Sequence, residues 1–285
     1  MNDRTLDLHA HTTASDGDHS PTQLVQHAHE VGLTALAVTD HDTTAGIIEA
    51  QEAGQHFGVE IVPGIELSAE IDFGQCHILG LLIDPANPTL NDRLREVIEN
   101  RDKRNARIVE KMQRELHFDI TLKEVEAESG GLVVARPHFA KVLLRKGYVT
   151  SMQQAFDDYL GKGAKAYVER DRLTPEECFT LIHGAGGIAL LAHPNNLKRD
   201  PTATEAEILR LHSLGMDGIE ARHNRHTPED TARYIALAAQ HNLLTSGGSD
   251  FHGPTVKPTV YLGQVEGDQP APLELLDRLK ERAAH

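Results

Sequence analysis

Short apolar runs alternate with helical patterns from the start of the chain, and this alternation is what most limits the folds open to it. Residues 5–8, 35–39 and 60–62 read as strands, and residues 21–31 and 43–57 between them carry apolar side chains at helical spacing. A β-α-β-α-β order calls for parallel strands joined by crossover helices. Ser20 and Pro21 supply an N-cap and a first-turn proline, and Leu24, Val25, Ala28 and Val31 then form one apolar stripe. Residues 66–71 and 76–83, on either side of Asp72-Phe73-Gly74-Gln75, predict a hairpin or paired strands.

The pattern changes at Pro85-Ala86-Asn87-Pro88. Residues 90–116 are rich in Arg, Glu, Lys and Leu with no Gly or Pro, which predicts one long charged helix. Helical stretches follow at 122–128, 137–146 and 151–160, ending at Gly161-Lys162-Gly163. The α/β rhythm then resumes: helix 175–184, strand 188–192, helix 203–214, strand 218–220, helix 228–241, strand 243–246 and a closing helix from Leu273. The expectation is one α/β barrel built from residues 1–84 and 165–285, with residues 85–164 a mainly helical insertion capping its pocket. A chain of 285 residues suits that plan.

Charge narrows the partners. The net charge is −15, yet residues 85–165 hold 15 Lys/Arg against 12 Asp/Glu, so the acidic excess lies in the expected barrel. Long nucleic acids are disfavoured because their affinity rests on neutralising backbone phosphates, and small or short anionic substrates are favoured. Met1-Asn2-Asp3-Arg4 leads into a strand without a signal-like apolar region, and there is no run of eighteen apolar residues. Secretion and membrane attachment are therefore not expected. The two cysteines, Cys76 and Cys178, rule out a disulfide framework or thiolate zinc cage and suit a reducing, cytoplasmic location.

The count of 18 His raises the prospect of a metal site, since neutral imidazole is the commonest protein ligand for transition metals. His9 and His11, two apart at the end of the first strand, point to one face, where they can chelate one ion. Further motifs are Ser15-Asp16-Gly17, Thr39-Asp40-His41-Asp42, Gly64-Ile65-Glu66, His77, Arg136-Pro137-His138, Ala192-His193-Pro194 and Ser249-Asp250-Phe251-His252. Most follow a predicted strand directly, where a parallel barrel gathers its functional groups. Any one of these histidines alone would read as a solvated or hydrogen-bonded residue; the ordered set does not.

This ordered set resembles the PHP (polymerase and histidinol phosphatase) family across 7–252. The insertion, with Arg136-Pro137-His138-Phe139-Ala140, is similar to the branch acting on nucleoside 3′,5′-bisphosphates and on the 5′ ends of short RNA. The resemblance implies a distorted (β/α)7 barrel and a site for three divalent ions, usually Mn, Zn or Fe. It implies His9, His11, Glu66 and Asp250 around a first ion, Glu66 bridging to a second held also by His77 and His138, and Asp16, His41 and His252 around a third. Nitrogen and carboxylate donors without sulfur suit these ions. The implied reaction is hydrolysis of a phosphate monoester by a hydroxide shared between ions, with Arg136 cradling the phosphate and His193 contacting it or protonating the leaving alkoxide.

A histidinol-phosphate or other small-metabolite phosphatase is the enzymatic alternative, and a catalytically silent metal-binding sensor or scaffold the alternative of another class. Two departures bear on the substrate clamp. The His193-Pro194 pair is followed by Asn195-Asn196 rather than Gly and a basic residue, and Ala164-Lys165-Ala166-Tyr167 shifts a Lys from its usual place. His223 and His226 match no ligand motif and read as loop residues near the pocket mouth.

Overall fold

Strand β1 (Thr5–Asp7) pairs in parallel with β2 (Ala35–Val38), and β2 with β3 (Glu60–Ala69). β4 (Cys76–Leu81) then runs antiparallel between β3 and β5 (Ile188–Leu191), after which β6 (Gly218–His223) and β7 (Leu244–Gly248) return to parallel pairing. A two-residue β8 (Ala271–Pro272) lies antiparallel on the other edge of β1. Just past β1, Leu8 N donates to Gly247 O at 3.0 Å and Asp250 N to His9 O at 2.9 Å. The chain leaving the first strand thus meets the chain leaving the seventh, and the sheet curls into a nearly closed, distorted (β/α)7 barrel.

The computed structural model describes residues 5–129, 134, 136–169, 172–266 and 269–284. They fall into two compact units, Met1–Leu94 with Arg172–His285 and Arg95–Asp171. The first holds the barrel and the helices α1 (Pro21–Glu30), α2 (Ile47–Phe57), α7 (Pro175–Gly184), α8 (Pro201–Ser213), α9 (Pro228–His241) and α10 (Glu274–Ala283). Four of these open with Pro in the first turn and a capping Ser, Thr or Asp (Ser20, Thr174, Asp200, Thr227), and all but Asp200 close a capping box. Leu6, Leu8, Val62, Leu79, Leu81 and Leu190 fill the barrel core together with Leu276 and Leu279 of α10.

The second unit carries most of the long charged helix α3 (Pro88–Arg114), with α4 (Leu122–Ser129), α5 (Arg136–Arg145), the single turn α6 (Met152–Ala155) and a π-helical turn at Phe156–Leu160. Its own core includes Ile108, Met112, Phe139, Leu143 and Leu160. Among the described residues no helix is long and apolar enough to cross a membrane.

The third and sixth strands differ from the pattern read in the sequence in ways that bear on the site, beside a helix α2 that begins at Ile47 rather than at residue 43 and the unexpected β8. Residues 60–62 and 66–69 are parts of one ten-residue strand, which ends at Ala69 rather than at residue 71. Its first half pairs with β2 and its second with β4, and the changeover falls at Pro63-Gly64, where Pro has no N–H to give and a Cβ on Gly64 would come within 2.9 Å of Thr39. β6 extends beyond 220 to His223 through a register shift between Glu220 and Arg222, a bulge that re-aims the side chains after it.

Leu79 is fully buried in this core. Leu79→Ala is expected to cost about 2–5 kcal/mol in chemical denaturation, from lost burial and the cavity left behind. Ile48→Ala, at a position 57% exposed, should change stability by no more than about 0.5 kcal/mol.

Candidate metal centre

The polar groups gather where strands end. Beyond β1 the backbone stays extended, Ala10 bridging to Phe251 and His11 N donating to Phe251 O at 2.8 Å, so His9 and His11 are held against the segment after β7. Asp40 is buried after β2; its carboxylate accepts from Thr12 N (2.8 Å), Thr12 Oγ1 (2.8 Å) and Ser15 Oγ (2.6 Å). It thereby ties down the tight turn that carries Asp16. That turn needs Gly17, since a Cβ there would stand 2.5 Å from His11 O. Asp250 sits at φ +56°, a left-handed conformation uncommon outside glycine.

Eight of the nine side chains expected as ligands converge in three overlapping groups: His9, His11, Glu66 and Asp250; His11, Asp16, His41 and His252; His41, Glu66 and His77. Within each group the donor atoms all lie within 4.8 Å of one another. Glu66 Oε2 stands 3.4 Å from His9 Nε2, 3.3 Å from His11 Nε2 and 3.1 Å from His41 Nδ1. Asp250 Oδ1 is 3.6 Å from His9 Nε2 and 3.4 Å from His11 Nε2, and Asp16 Oδ1 is 3.4 Å from His11 Nδ1 and 3.3 Å from His252 Nε2. Two donors about 2.1 Å from one tetrahedral ion stand roughly 3.4 Å apart, which is the spacing found here. His9 Nε2, both nitrogens of His11, His41 Nδ1 and Glu66 Oε2 are buried without a hydrogen-bond partner among the described residues. Such orphaned, sulfur-free nitrogen and oxygen donors fit divalent cations.

His138 and Arg136 are in the first turn of α5, in the second unit. His193 is buried beside the groups, its Nε2 2.9 Å from Glu66 Oε1 and its Nδ1 3.0 Å from Asn196 Nδ2. Its backbone has φ +28°, a strained value for a non-glycine residue.

His223 is not a loop residue at a pocket mouth: it ends β6 and is buried, because the bulge after Glu220 carries the strand further than expected. Its Nδ1 accepts from Arg225 N at 3.1 Å, and His226 Nδ1 lies 3.1 Å from Ala221 O, so both rings brace the turn. Three further residues neighbour the site, and two of them, Glu220 and Lys257, are not singled out in the sequence. Glu220 is fully buried and accepts from His9 Nδ1 and His193 N; an acidic residue ending a predicted barrel strand was its one signal. Lys257 Nζ lies 2.6 Å from Asp250 Oδ2 and has no sequence signature, while buried Asp7, which opens the Asp7-Leu8-His9-Ala10-His11 motif, accepts from Ser249 N and Gly263 N.

Burial alone would depress the imidazoles, but on His9 the carboxylates of Glu220, Glu66 and Asp250 outweigh it and hold the ring well above its ordinary range. On His11, against the same burial, Asp250, Glu66 and Asp16 raise the value to about 9. His41 goes the other way, burial taking it down to about 4 despite Glu66 and Asp16. Burial would raise Glu66, Asp16 and Asp250, yet the surrounding histidines hold all three well below the usual carboxylate range. Protons on His9 and His11 therefore balance the acidic groups when no cation does.

A family model described as the PHP domain matches residues 7–186. The chain is 35% identical over 260 residues to the 5′-3′ exoribonuclease Rnm of Escherichia coli K12, covering 90% of this chain and 88% of the relative. It is 34% identical over 252 residues to the 3′,5′-nucleoside bisphosphate phosphatase of Chromobacterium violaceum, covering 87% of each. A solved structure from Bifidobacterium adolescentis, described as a metal-dependent phosphoesterase, superposes with a TM-score of 0.78 at 30% identity over 98% of this chain and 96% of its own.

Cation uptake at this site displaces protons from imidazole. With His11 raised to about 9, Mn²⁺ affinity should climb with pH up to about 9, and loading at pH 7 should release protons into a weakly buffered indicator solution. A pH-independent affinity would contradict this assignment. Gly248→Ala, whose Cβ would meet His9 Cβ at 2.2 Å, should displace His9 and lower bound metal on elemental analysis.

Proposed function

This chain belongs to the PHP domain family, and on that premise we propose that it hydrolyses a phosphate ester of a nucleoside 3′,5′-bisphosphate or of the 5′ end of short RNA. It is a metal-dependent phosphoesterase, a hydrolase. The observation that carries the reading is the convergence of eight nitrogen and oxygen donors, several of them buried and orphaned, at strand ends. The substrate class is supported by the names of the two relatives, one acting on RNA from the 5′ end and one on nucleoside bisphosphates.

Three divalent ions, Mn, Zn or Fe, are the proposed complement, with His9, His11, Glu66 and Asp250 for one, Asp16, His41, His252 and His11 for another, and Glu66, His41 and His77 for the third. Bound divalent cations supply Lewis acidity, lowering the pKa of water and drawing charge from phosphate oxygens.

The chain's own residues do the rest. Asn196 donates to His193 Nδ1 at 3.0 Å, which leaves the ring proton on Nε2. His193 Nε2 points at Glu66 Oε1, at the edge of the donor groups, where it can give a proton to a leaving alkoxide. Of the asparagines that stand where Gly and a basic residue are usual, Asn196 acts on the site by setting the tautomer, while Asn195 is tied to Tyr234 Oη and Asp230 of α9. For Arg136 as phosphate cradle and His138 as a further ligand, the support is the Arg136-Pro137-His138 motif. A cytoplasmic location fits the two free, buried cysteines.

Adenosine 3′,5′-bisphosphate and a 5′-phosphorylated RNA trinucleotide, each with Mn²⁺, are the substrates to test. Hydrolysis of at least one is expected. His193→Ala should lower kcat by about 10²–10⁴ with metal content unchanged, and Arg136→Ala should raise KM. Failure to hydrolyse either substrate with Mn²⁺, Zn²⁺ or Fe²⁺ would refute the substrate class, and preference for a small-metabolite phosphate would redirect it.

A further inference from the structure

We propose that Glu220 is a positioning residue that couples the candidate cation site to His193, one carboxylate oxygen orienting the ring of His9 and the other fixing the backbone of His193. The proposal rests on reading this site as a phosphoesterase centre.

Glu220 is fully buried in β6, at the bulge, opposite Ser246 of β7. Its Oε1 is 2.9 Å from His9 Nδ1, and its Oε2 accepts from His193 N at 2.7 Å. An ionised carboxylate only accepts, so the one proton that His9 keeps when a cation displaces the other lies on Nδ1, and the Nε2 lone pair is then left toward Glu66 and Asp250, whose oxygens stand 3.4 and 3.6 Å away. A ligating imidazole needs that tautomer, and a carboxylate on its far nitrogen both fixes it and strengthens the ligand.

The second oxygen acts on a different residue. His193 is held at φ +28°, and its N–H would be a buried, unpaired donor without Glu220. In that conformation its Nε2 reaches Glu66 Oε1 at 2.9 Å, while Glu66 Oε2 faces His9 Nε2. His9, Glu220, His193 and Glu66 therefore form a closed circuit in which each carboxylate touches both histidines. The fold makes room for it at Gly248, where a Cβ would stand 2.9 Å from Glu220 Oε1 and 2.2 Å from His9 Cβ.

Glutamine is the informative replacement because both partners of Glu220 donate, and an amide has one acceptor end only. If its oxygen takes His193 N–H, its NH₂ meets His9 Nδ1 and drives the ring proton onto the ligating nitrogen. If the amide is reversed, His193 loses its acceptor.

The full chain is compared with Glu220→Gln, His9→Ala, His193→Ala and the double variants pairing Glu220→Gln with each, by thermal unfolding, Mn²⁺ affinity in chelator competition, and turnover at saturating Mn²⁺. Glu220→Gln is expected to weaken Mn²⁺ binding by about 10–100-fold, to add no further loss in the His9→Ala background, and to add no further loss of turnover in the His193→Ala background. Imidazole ¹⁵N NMR of the Zn²⁺-loaded wild-type chain, which does not depend on any variant folding, should find the His9 proton on Nδ1. Wild-type affinity and turnover in Glu220→Gln, additive losses in both backgrounds, or a His9 proton on Nε2 would each overturn the inference. A wild-type chain that binds Mn²⁺ but hydrolyses no phosphate ester would instead sink the phosphoesterase reading and leave the Glu220–His9 linkage standing.

Discussion

One buried carboxylate sets the terms for the whole site. Glu66 is fully enclosed, yet its Oε1 lies 2.9 Å from both His77 and His193, and its Oε2 faces His9, His11 and His41 at 3.1–3.4 Å. Taking a charge out of water costs several kcal/mol even after relaxation, and the cost is offset only by close compensating charge. Asp250, Asp16 and Glu220 add three more acids to the same neighbourhood. A cluster of this kind needs positive charge at its centre, which protons on His9 and His11 supply when no cation does and which divalent cations between these donors would supply in their place.

The barrel is the means by which that carboxylate is surrounded. β3 delivers Glu66 after changing partners at Pro63-Gly64, β4 returns His77 beside it, and the meeting of the chains beyond β1 and β7 brings His9 and His11 against Asp250 and His252. Three local departures from easy backbone geometry lie here: the left-handed Asp250, the strained His193 and the bulge at Glu220. Strain that clusters at a set of polar groups is held by the surrounding packing and keeps those groups from relaxing away from one another.

Much of this was legible in the residues. Strand-helix alternation implied the α/β barrel, and the family resemblance carried by the ordered motifs implied the eight donors that come together; most of those motifs follow a predicted strand, where a barrel gathers its functional groups. What escaped has a common cause: it depends on contacts between residues distant in sequence. Glu220 meets His9 across 211 positions and looks like any strand-end acid until the strands are side by side. Residues 60–62 and 66–71 read as separate strands, whereas Pro63-Gly64 marks the place where one continuous strand changes neighbours. His223 read as a loop residue because a bulge, which leaves no sequence mark, extends its strand.

The most direct measurement is a crystal of the Mn²⁺-loaded chain with anomalous diffraction recorded on both sides of the manganese absorption edge. Difference peaks should stand about 2.0–2.3 Å from His9 Nε2, His11 Nε2, Glu66 Oε2 and Asp250 Oδ1, with further density beside Asp16 and His252. Peaks elsewhere on the molecule, or none between these side chains, would contradict the assignment of the buried cluster as a cation site.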